Sequence, residues 1–518
     1  MSNNLIRSNV IAKNTSLLYM RMLIVMIINL YTVRLVLNAL GDEDYGIFNV
    51  VAGIITMMSC VSSVLSMATQ RYYSFALGEN DHAKLKFIFS TSINIYLFLS
   101  ITVLLFGESI GLWFINSQLV IPDYRMSAAN LIYQFSIFSF IASMIQVPYS
   151  AAIIAHEDMG VFAMISTGEC LLKLVIALML LIIPMDKLVF YGGALLISNL
   201  MILIIYVIIG YKKYNECHYM RTFDGNLHKK ILSFSGWTLF GSVANVGMIQ
   251  VNTILVNIFF GPLVSASRAI SLQVYNALTT FCNSFVMAIR PPMIKSYAEG
   301  NYLYLMKLFN IGNKFIFYCL LMICLPLFLE METILFVWLK STNIDTIVFS
   351  KLMIVYVIII SLHNPITIIM QATGYVKQYH VPVEIVILLS VPLTYILYKV
   401  GFPATATFIA MIVVGGISHL IRLICLSKYF KQFSFLEYML SFLFPAFVIT
   451  SLIFFPVYYI HTIIESVYLR FFIVLCSSGF LTIVLSYFIG LSKRERFLIK
   501  MILNQFICKM NGSNVRNL

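Results

Sequence analysis

The chain has 518 residues, 60% of them hydrophobic and 11% charged, with a mean hydropathy of +0.92. Soluble globular proteins carry about 25% charged residues, so the composition excludes a water-soluble architecture and points to an all-α polytopic membrane protein. The net charge of +13 raises nucleic acid as a partner, but the placement of that charge gives the idea no weight.

The first 14 residues, MSNNLIRSNVIAKN, are polar and basic. The apolar stretch behind them is too long for a signal-peptide core and lacks a small-residue cleavage site, so it reads as an uncleaved first span. About 20 apolar residues cover a hydrocarbon core about 30 Å thick. On that measure fourteen spans are expected, at 16–38, 46–69, 87–106, 126–154, 160–183, 188–210, 235–260, 263–289, 309–330, 350–372, 380–398, 404–426, 436–459 and 468–490. Most of the 34 Lys and Arg fall in loops on the N-terminal side, densest in "YKKYNECHYMRTFDGNLHKK" (211–230) and "SKRERFLIK" (492–500). The positive-inside rule then puts both termini in the cytoplasm, and attraction to anionic membrane lipids is a secondary effect.

The chain resembles itself at an offset near 220. "LNALG" (37–41) pairs with "VNIFFG" (256–261), "MATQRYYSFALGEN" (67–80) with "MAIRPPMIKSYAEGN" (287–301), and "PYSAAIIAH" (148–156) with "PITIIMQAT" (365–373). Six spans precede the second copy, so the copies share one orientation, as in transporters built from parallel repeats. The expected organisation is an N-terminal lobe (1–230), a C-terminal lobe (231–433) and a segment 434–518 holding two extra helices and a basic tail. The substrate site of such transporters lies between the lobes, in a central cavity.

Polar residues at helical spacing mark faces that avoid lipid. Ser59, Ser62 and Ser66 suit helix packing. The stripes Thr238, Ser242, Asn245, Asn252 and Arg268, Ser271, Tyr275, Thr279 are more polar and suggest a water-filled cavity. Mapped through the repeat, that face carries Asn29 and brings Arg21 towards the cavity, whereas Arg34 points away, as an anchor near "GDED". An intramembrane charge is a functional hypothesis by default, and Arg268, with no acid near it in sequence, is the sharpest. Arg71 and Arg290 are repeat-related at helix ends, where they either snorkel or contact substrate. Glu169 and Lys173 are spaced i, i+4, a pair whose carboxylate is also the best candidate for ion or proton coupling. Glu384, near a helix end, is a weaker one. Pro148 and Pro365, the latter within His363-Asn364-Pro365, are expected hinges or static kinks.

No nucleotide-binding, zinc-protease or hydrolase motif is present, the histidines are dispersed, and the nine cysteines form no paired metal or disulfide pattern. The expectation is therefore no catalytic residue, no cofactor, no metal and no enzyme activity.

The stretches "LYTVRLVLNALGDEDYGIFNVVAGI", "MATQRYYSFALGEND", "VSASRAISLQV", "IKSYAEGN" and "MQATGYVKQY" resemble the Wzx-type polysaccharide flippases of the MOP superfamily, which includes the MATE drug exporters. The resemblance implies a multi-pass inner-membrane protein that moves undecaprenyl-diphosphate-linked oligosaccharide to the periplasmic leaflet by alternating access, beside a polysaccharide polymerase machinery. Arginine's fork of donors matches phosphate oxygens, so Arg21, Arg268, Arg71 and Arg290 would neutralise the diphosphate, with Asn29, Asn245, Asn252 and Tyr275 lining the cavity. Arg290 departs from the family, which often has a polar residue there. The rivals are a cation-coupled MATE-like drug exporter, whose cavity should be acidic or aromatic, and an O-antigen polymerase or ligase, which the short external loops disfavour.

Overall fold

A computed structural model of the chain describes residues 2–57, 59–118, 121–220, 225–339, 343–492 and 495–496. Part of the basic run 211–230 and most of the run 492–500 lie outside them, as does the tail beyond 496. The described residues are all-helical: α1 (Ser2–Met57), α2 (Ser59–Gly78), α3 (His82–Phe106), α4 (Leu112–Gln118), α5 (Asp123–Ala155), α6 (Met159–Met179), α7 (Lys187–Lys213), α8 (Gly225–Ala298), α9 (Tyr302–Leu329), α10 (Met331–Leu339), α11 (Ile344–Ser361), α12 (His363–Thr373), α13 (Val376–Leu388), α14 (Ser390–Lys399), α15 (Ala406–Tyr429), α16 (Phe435–Tyr438), α17 (Phe444–Ile463) and α18 (Val467–Leu485).

Twelve helical stretches, rather than the fourteen expected, are long and apolar enough to cross a membrane. Each overlaps an expected span, most with ends shifted by up to seven residues, while His82–Ser117 runs 11 residues past the expected end at 106. Of the remaining two, 263–289 is helical but less apolar, and 46–69 is helical where described, with residue 58 outside the described residues. In 263–289 the Ser, Thr, Asn and Gln side chains and Arg268 dilute the hydropathy, as a helix that turns a polar face away from lipid allows.

The internal repeat is written in the backbone. Both α1 and α8 are interrupted by a single non-helical residue, Gly41 (φ 78°, ψ 171°) and Gly261 (φ 79°, ψ −175°), 220 positions apart. That conformation is essentially open to glycine alone. The ends of α2 and α8 match as well. Asn80 N–H donates to the Leu77 carbonyl and Asp81 N–H to Ala76, while Gly300 N–H donates to Tyr297 and Asn301 N–H to Ser296. This is the Schellman closure of a helix, with the left-handed residue at Asn80 in one copy and Gly300 in the other. A third pair of left-handed residues, Glu157 and Gly374, follows the "PYSAAIIAH" and "PITIIMQAT" segments.

The chain forms two compact units. The first comprises Ala12–Val243 and Met287–Asn301. Its centre is α5, which packs on α2, α3 and α7 around Ile132, Tyr133, Ile137 and Met144. Gly192 and Gly210 of α7 sit where a Cβ would press on Ile132, Phe135 and Tyr149, the close approach that small residues give membrane helices. At one end Arg125, in the first turn of α5, donates to Asp44 and to Asp186, which also caps α7 by accepting from Leu188 N–H and Val189 N–H. Elsewhere in this unit Lys295 pairs with Glu157 at 2.8 Å, so the end of α8 packs here.

The second unit comprises Met1–Ile11, Ala244–Val286 and Tyr302–Leu518. Here α15 packs on α11, α12, α13 and α14, and α9 packs on α17 and α18. Two ion pairs fasten the last helices to α9. Glu330, just past the end of α9 and fully buried, receives Arg470 at 2.9 Å and His461 at 2.8 Å. Lys314 meets Glu495 at 2.8 Å.

Candidate substrate and coupling residues

Arg268 is wholly buried in the second unit. Its Nε donates to the Thr253 hydroxyl at 2.9 Å and one terminal nitrogen reaches the Ile249 carbonyl at 3.4 Å. The guanidinium lies over the Phe408 ring, 5.1 Å from its centroid. Its Nη1 has no hydrogen-bond partner among the described residues, and no carboxylate pairs with it. The residue survives burial because Thr253 and Ile249 stand one turn apart on the facing part of α8, beyond the Gly261 break, and α15 supplies the ring.

The other expected residues of this unit surround the same helices. Asn252 is fully buried, its amide donating to Ser390 Oγ at 3.5 Å while its Oδ1 has no partner among the described residues. Tyr275 stacks on Tyr356, ring centroids 6.1 Å apart, and Tyr356 lies within Coulombic reach of Arg268, Arg422 and Glu384. Asn245 is half-buried. Pro365 falls in the first turn of α12, directly after the break that ends α11 at Ser361, where a missing N–H costs little.

In the first unit Arg21 packs on α6, donating to Ser166 Oγ at 3.2 Å and lying over Phe162 at 5.1 Å. Its Nε has no partner among the described residues. Asn29 is exposed and accepts from Cys170 Sγ at 3.4 Å. Arg34 is exposed. Arg71 is buried in an aromatic box of Tyr72, Phe75 and Phe234, with the ring centroids 5.0, 5.8 and 4.9 Å away. Arg290 is half-buried, and its Nε has no partner among the described residues. Glu169 and Lys173 pair at 2.6 Å on a partly exposed face. Pro148 is buried inside α5, which continues past it without a break.

The structure also gathers a group that the sequence reading passed over. Arg422, His419, Tyr379 and His380 join Glu384 and His363 among α12, α13 and α15, all of them buried. Only Glu384 and the His363-Asn364-Pro365 segment drew attention in sequence. The i, i+4 spacing of His380 and Glu384 was an available signal. Arg422, 43 residues from Tyr379, left none.

Comparison with known proteins fits this arrangement. Residues 11–297 match the model of a family described as polysaccharide biosynthesis protein. No curated protein matches the chain in a sequence search. Among solved structures, an outward-facing multidrug-resistance MATE family transporter of the MOP superfamily superposes with a TM-score of 0.71 at 13% identity, over 83% of this chain and 97% of that one. A MATE transporter in its bent conformation gives 0.72 at 12% identity, over 82% and 97%. A MOP superfamily transporter from Pyrococcus furiosus, described as having a binding pocket of reversed polarity that suggests a different function, gives 0.68 at 12% identity, over 81% and 95%. At these identities the likeness shows the fold, which is MATE-like.

Proposed function

We propose, from the premise that the chain belongs to the polysaccharide biosynthesis protein family, that of the Wzx-type flippases in the MOP superfamily, that this membrane transporter flips undecaprenyl-diphosphate-linked oligosaccharide from the cytoplasmic to the periplasmic leaflet of the inner membrane. The work would be done by alternating access of two repeat-related lobes, 1–230 and 231–433, with 434–518 as an accessory segment and both termini cytoplasmic. The product would feed a polysaccharide polymerase machinery that builds O-antigen or capsule.

The observation that carries the reading is Arg268. Among the described residues it is a buried guanidinium with an unused donor and no paired carboxylate. A diphosphate offers the oxygens such a donor lacks, and charge-assisted bonds of this kind are the strong ones. Arg21, with an unused Nε of its own, supports an anionic cargo from the first unit, and Arg71 and Arg290 add positive charge there. Asn29, Asn245, Asn252 and Tyr275 would line the path, and Pro148 and Pro365 would serve as hinges. A drug exporter needs a cavity that attracts cations, which an unpaired Arg268 opposes.

Depleting the protein in its native cell and measuring leaflet accessibility of the lipid-linked oligosaccharide tests the proposal. Precursor should build up on the cytoplasmic face, and Arg268→Ala should fail to relieve it while Arg268→Lys relieves it in part. Unchanged precursor would return the exporter to consideration. Precursor accumulating already flipped would favour a polymerase or ligase role.

A further inference from the structure

Helix α8 leaves the second unit at Val286, and its last stretch, Met287–Ala298, belongs to the first. Two consecutive prolines, Pro291 and Pro292, follow closely on that boundary. Each lacks the N–H that would bind four residues back, so the carbonyls of Met287 and Ala288 lose their helical donors. Helix α8 continues through both prolines, but with two fewer backbone bonds at a place where it can bend. The matching segment of α2, 67–80, has no proline.

Three contacts hold the end beyond the prolines. Lys295 Nζ meets Glu157 Oε1, in the turn between α5 and α6, at 2.8 Å. A Cβ on Gly78 would stand 2.7 Å from the Ala298 Cβ and from the Lys295 carbonyl, so the end of α2 packs directly on the end of α8. Leu18, Ile154, Met159 and Ala288 form one small apolar cluster. Glu157 occupies the left-handed position (φ 64°) of a Schellman closure, its N–H donating to Ile154 and the Asp158 N–H to Ile153. The repeat-related residue is Gly374, the residue that takes this conformation without strain. A glutamate bears a steric penalty there, and what it adds over glycine is the carboxylate on Lys295. Its carbonyl also accepts from Asn14 Nδ2 at 2.9 Å, which ties α1 to the same turn. The fastening is weaker than the one at Glu330, which is fully buried and takes Arg470, His461 and Thr333. Glu157 and Lys295 keep 19% and 20% side-chain exposure, and Glu157 has one cationic partner among the described residues. Water reaches such a pair and can replace either member. A bendable joint and a fastening of this kind suit a contact that is made and broken.

We propose that Glu157 and Lys295 form a releasable latch on the end of α8. With the latch closed, that end is docked on α2 and on the α5–α6 turn. With it open, the end swings on Pro291–Pro292. Assigning the two positions to steps of a transport cycle rests on the alternating-access reading, whereas the latch itself does not.

The test is a spin-label distance measurement on the purified full-length protein in lipid nanodiscs. The labels go on non-natural residues at Ala83 and Leu303, both exposed, in the first turns of α3 and α9 just beyond the docked ends of α2 and α8. The unaltered protein should give two distances, the shorter one dominant. Glu157→Gln should raise the ratio of long to short roughly fivefold, as expected for loss of a partly exposed pair, and Lys295→Gln should do the same. Exchanging the charges, Glu157→Lys with Lys295→Glu, should return the ratio towards that of the unaltered protein. Glu157→Gly separates a latch from a scaffold. It relieves the backbone, so the melting temperature should be little changed while the long distance grows as in Glu157→Gln. One unchanged distance in every variant overturns the inference, as does an unaltered ratio in Glu157→Gly. If Glu157→Gln does not fold, Lys295→Gln carries the same comparison. No cargo is involved, so failure here leaves the flippase reading standing, and a working latch in a protein that moves no lipid-linked sugar counts against that reading alone.

Discussion

Arg268 and Glu330 are both wholly buried charges, yet the structure treats them oppositely. Glu330 is saturated: Arg470, His461 and the Thr333 hydroxyl all point at its oxygens. Burial pushes this carboxyl up, but the hydrogen bonds from Arg470, His461 and Thr333 outweigh it and hold Glu330 below its ordinary value. Glu495 behaves likewise through Lys314 and Ser492. A carboxylate depressed on folding contributes stability above its unfolded pKa, about 4.3, and loses it as pH falls through the folded value. Thermal unfolding in detergent should therefore show the protein weakening below about pH 4.5, and less so in Glu330→Gln. Arg470→Met should cost about 2 kcal/mol, less than for a fully buried pair, because Arg470 keeps 22% exposure and His461 remains. A melting temperature unmoved by Arg470→Met would show that Glu330 does not depend on it. Arg268 has no such saturation, and Arg268→Met, which removes the charge and keeps the bulk, should leave unfolding temperature unchanged or raised while abolishing transport. A large loss of stability would make Arg268 a structural residue.

At the scale of the element, helix positions were legible because a lipid-length apolar run leaves few alternatives: every expected span falls on helix where described, with non-helical residues at some ends such as 180–183 and 404–405 and at breaks such as 362 and 389. The repeat was legible as short matching segments, and the structure shows why those segments match. Their shared feature is backbone, a glycine break at Gly41 and Gly261 and a left-handed closure at Asn80 and Gly300. Gly41→Ala and Gly261→Ala should each cost about 1–3 kcal/mol, since an L side chain rarely adopts that conformation, although a Cβ at either site would meet nothing within 4 Å. Asn80→Gly should be neutral or stabilising, whereas Gly300→Ala should destabilise by about 1 kcal/mol. Equal melting temperatures for the two alanine variants and the parent would refute the strain argument. Less legible were sites assembled from several helices. The periodicity of one helix shows which face is polar, but Arg422 meets Thr367 across 55 residues of chain, and no local pattern encodes that meeting.

For the whole molecule, the family and the MATE-like fold make the chain a multi-pass transporter, and the chemistry of the buried charges bears on its cargo. Unpaired arginine in a membrane interior is costly, and an anionic cargo would offset that cost. The central claim is that the anion is a lipid-linked diphosphate. The most direct measurement reconstitutes the purified full-length protein in liposomes carrying undecaprenyl-diphosphate-linked oligosaccharide and follows the fraction accessible from outside with a membrane-impermeant sugar-modifying probe. The account predicts that accessibility rises with the unaltered protein and stays at the protein-free level with Arg268→Met. Equal accessibility with and without the unaltered protein, or full activity in Arg268→Met, would contradict it.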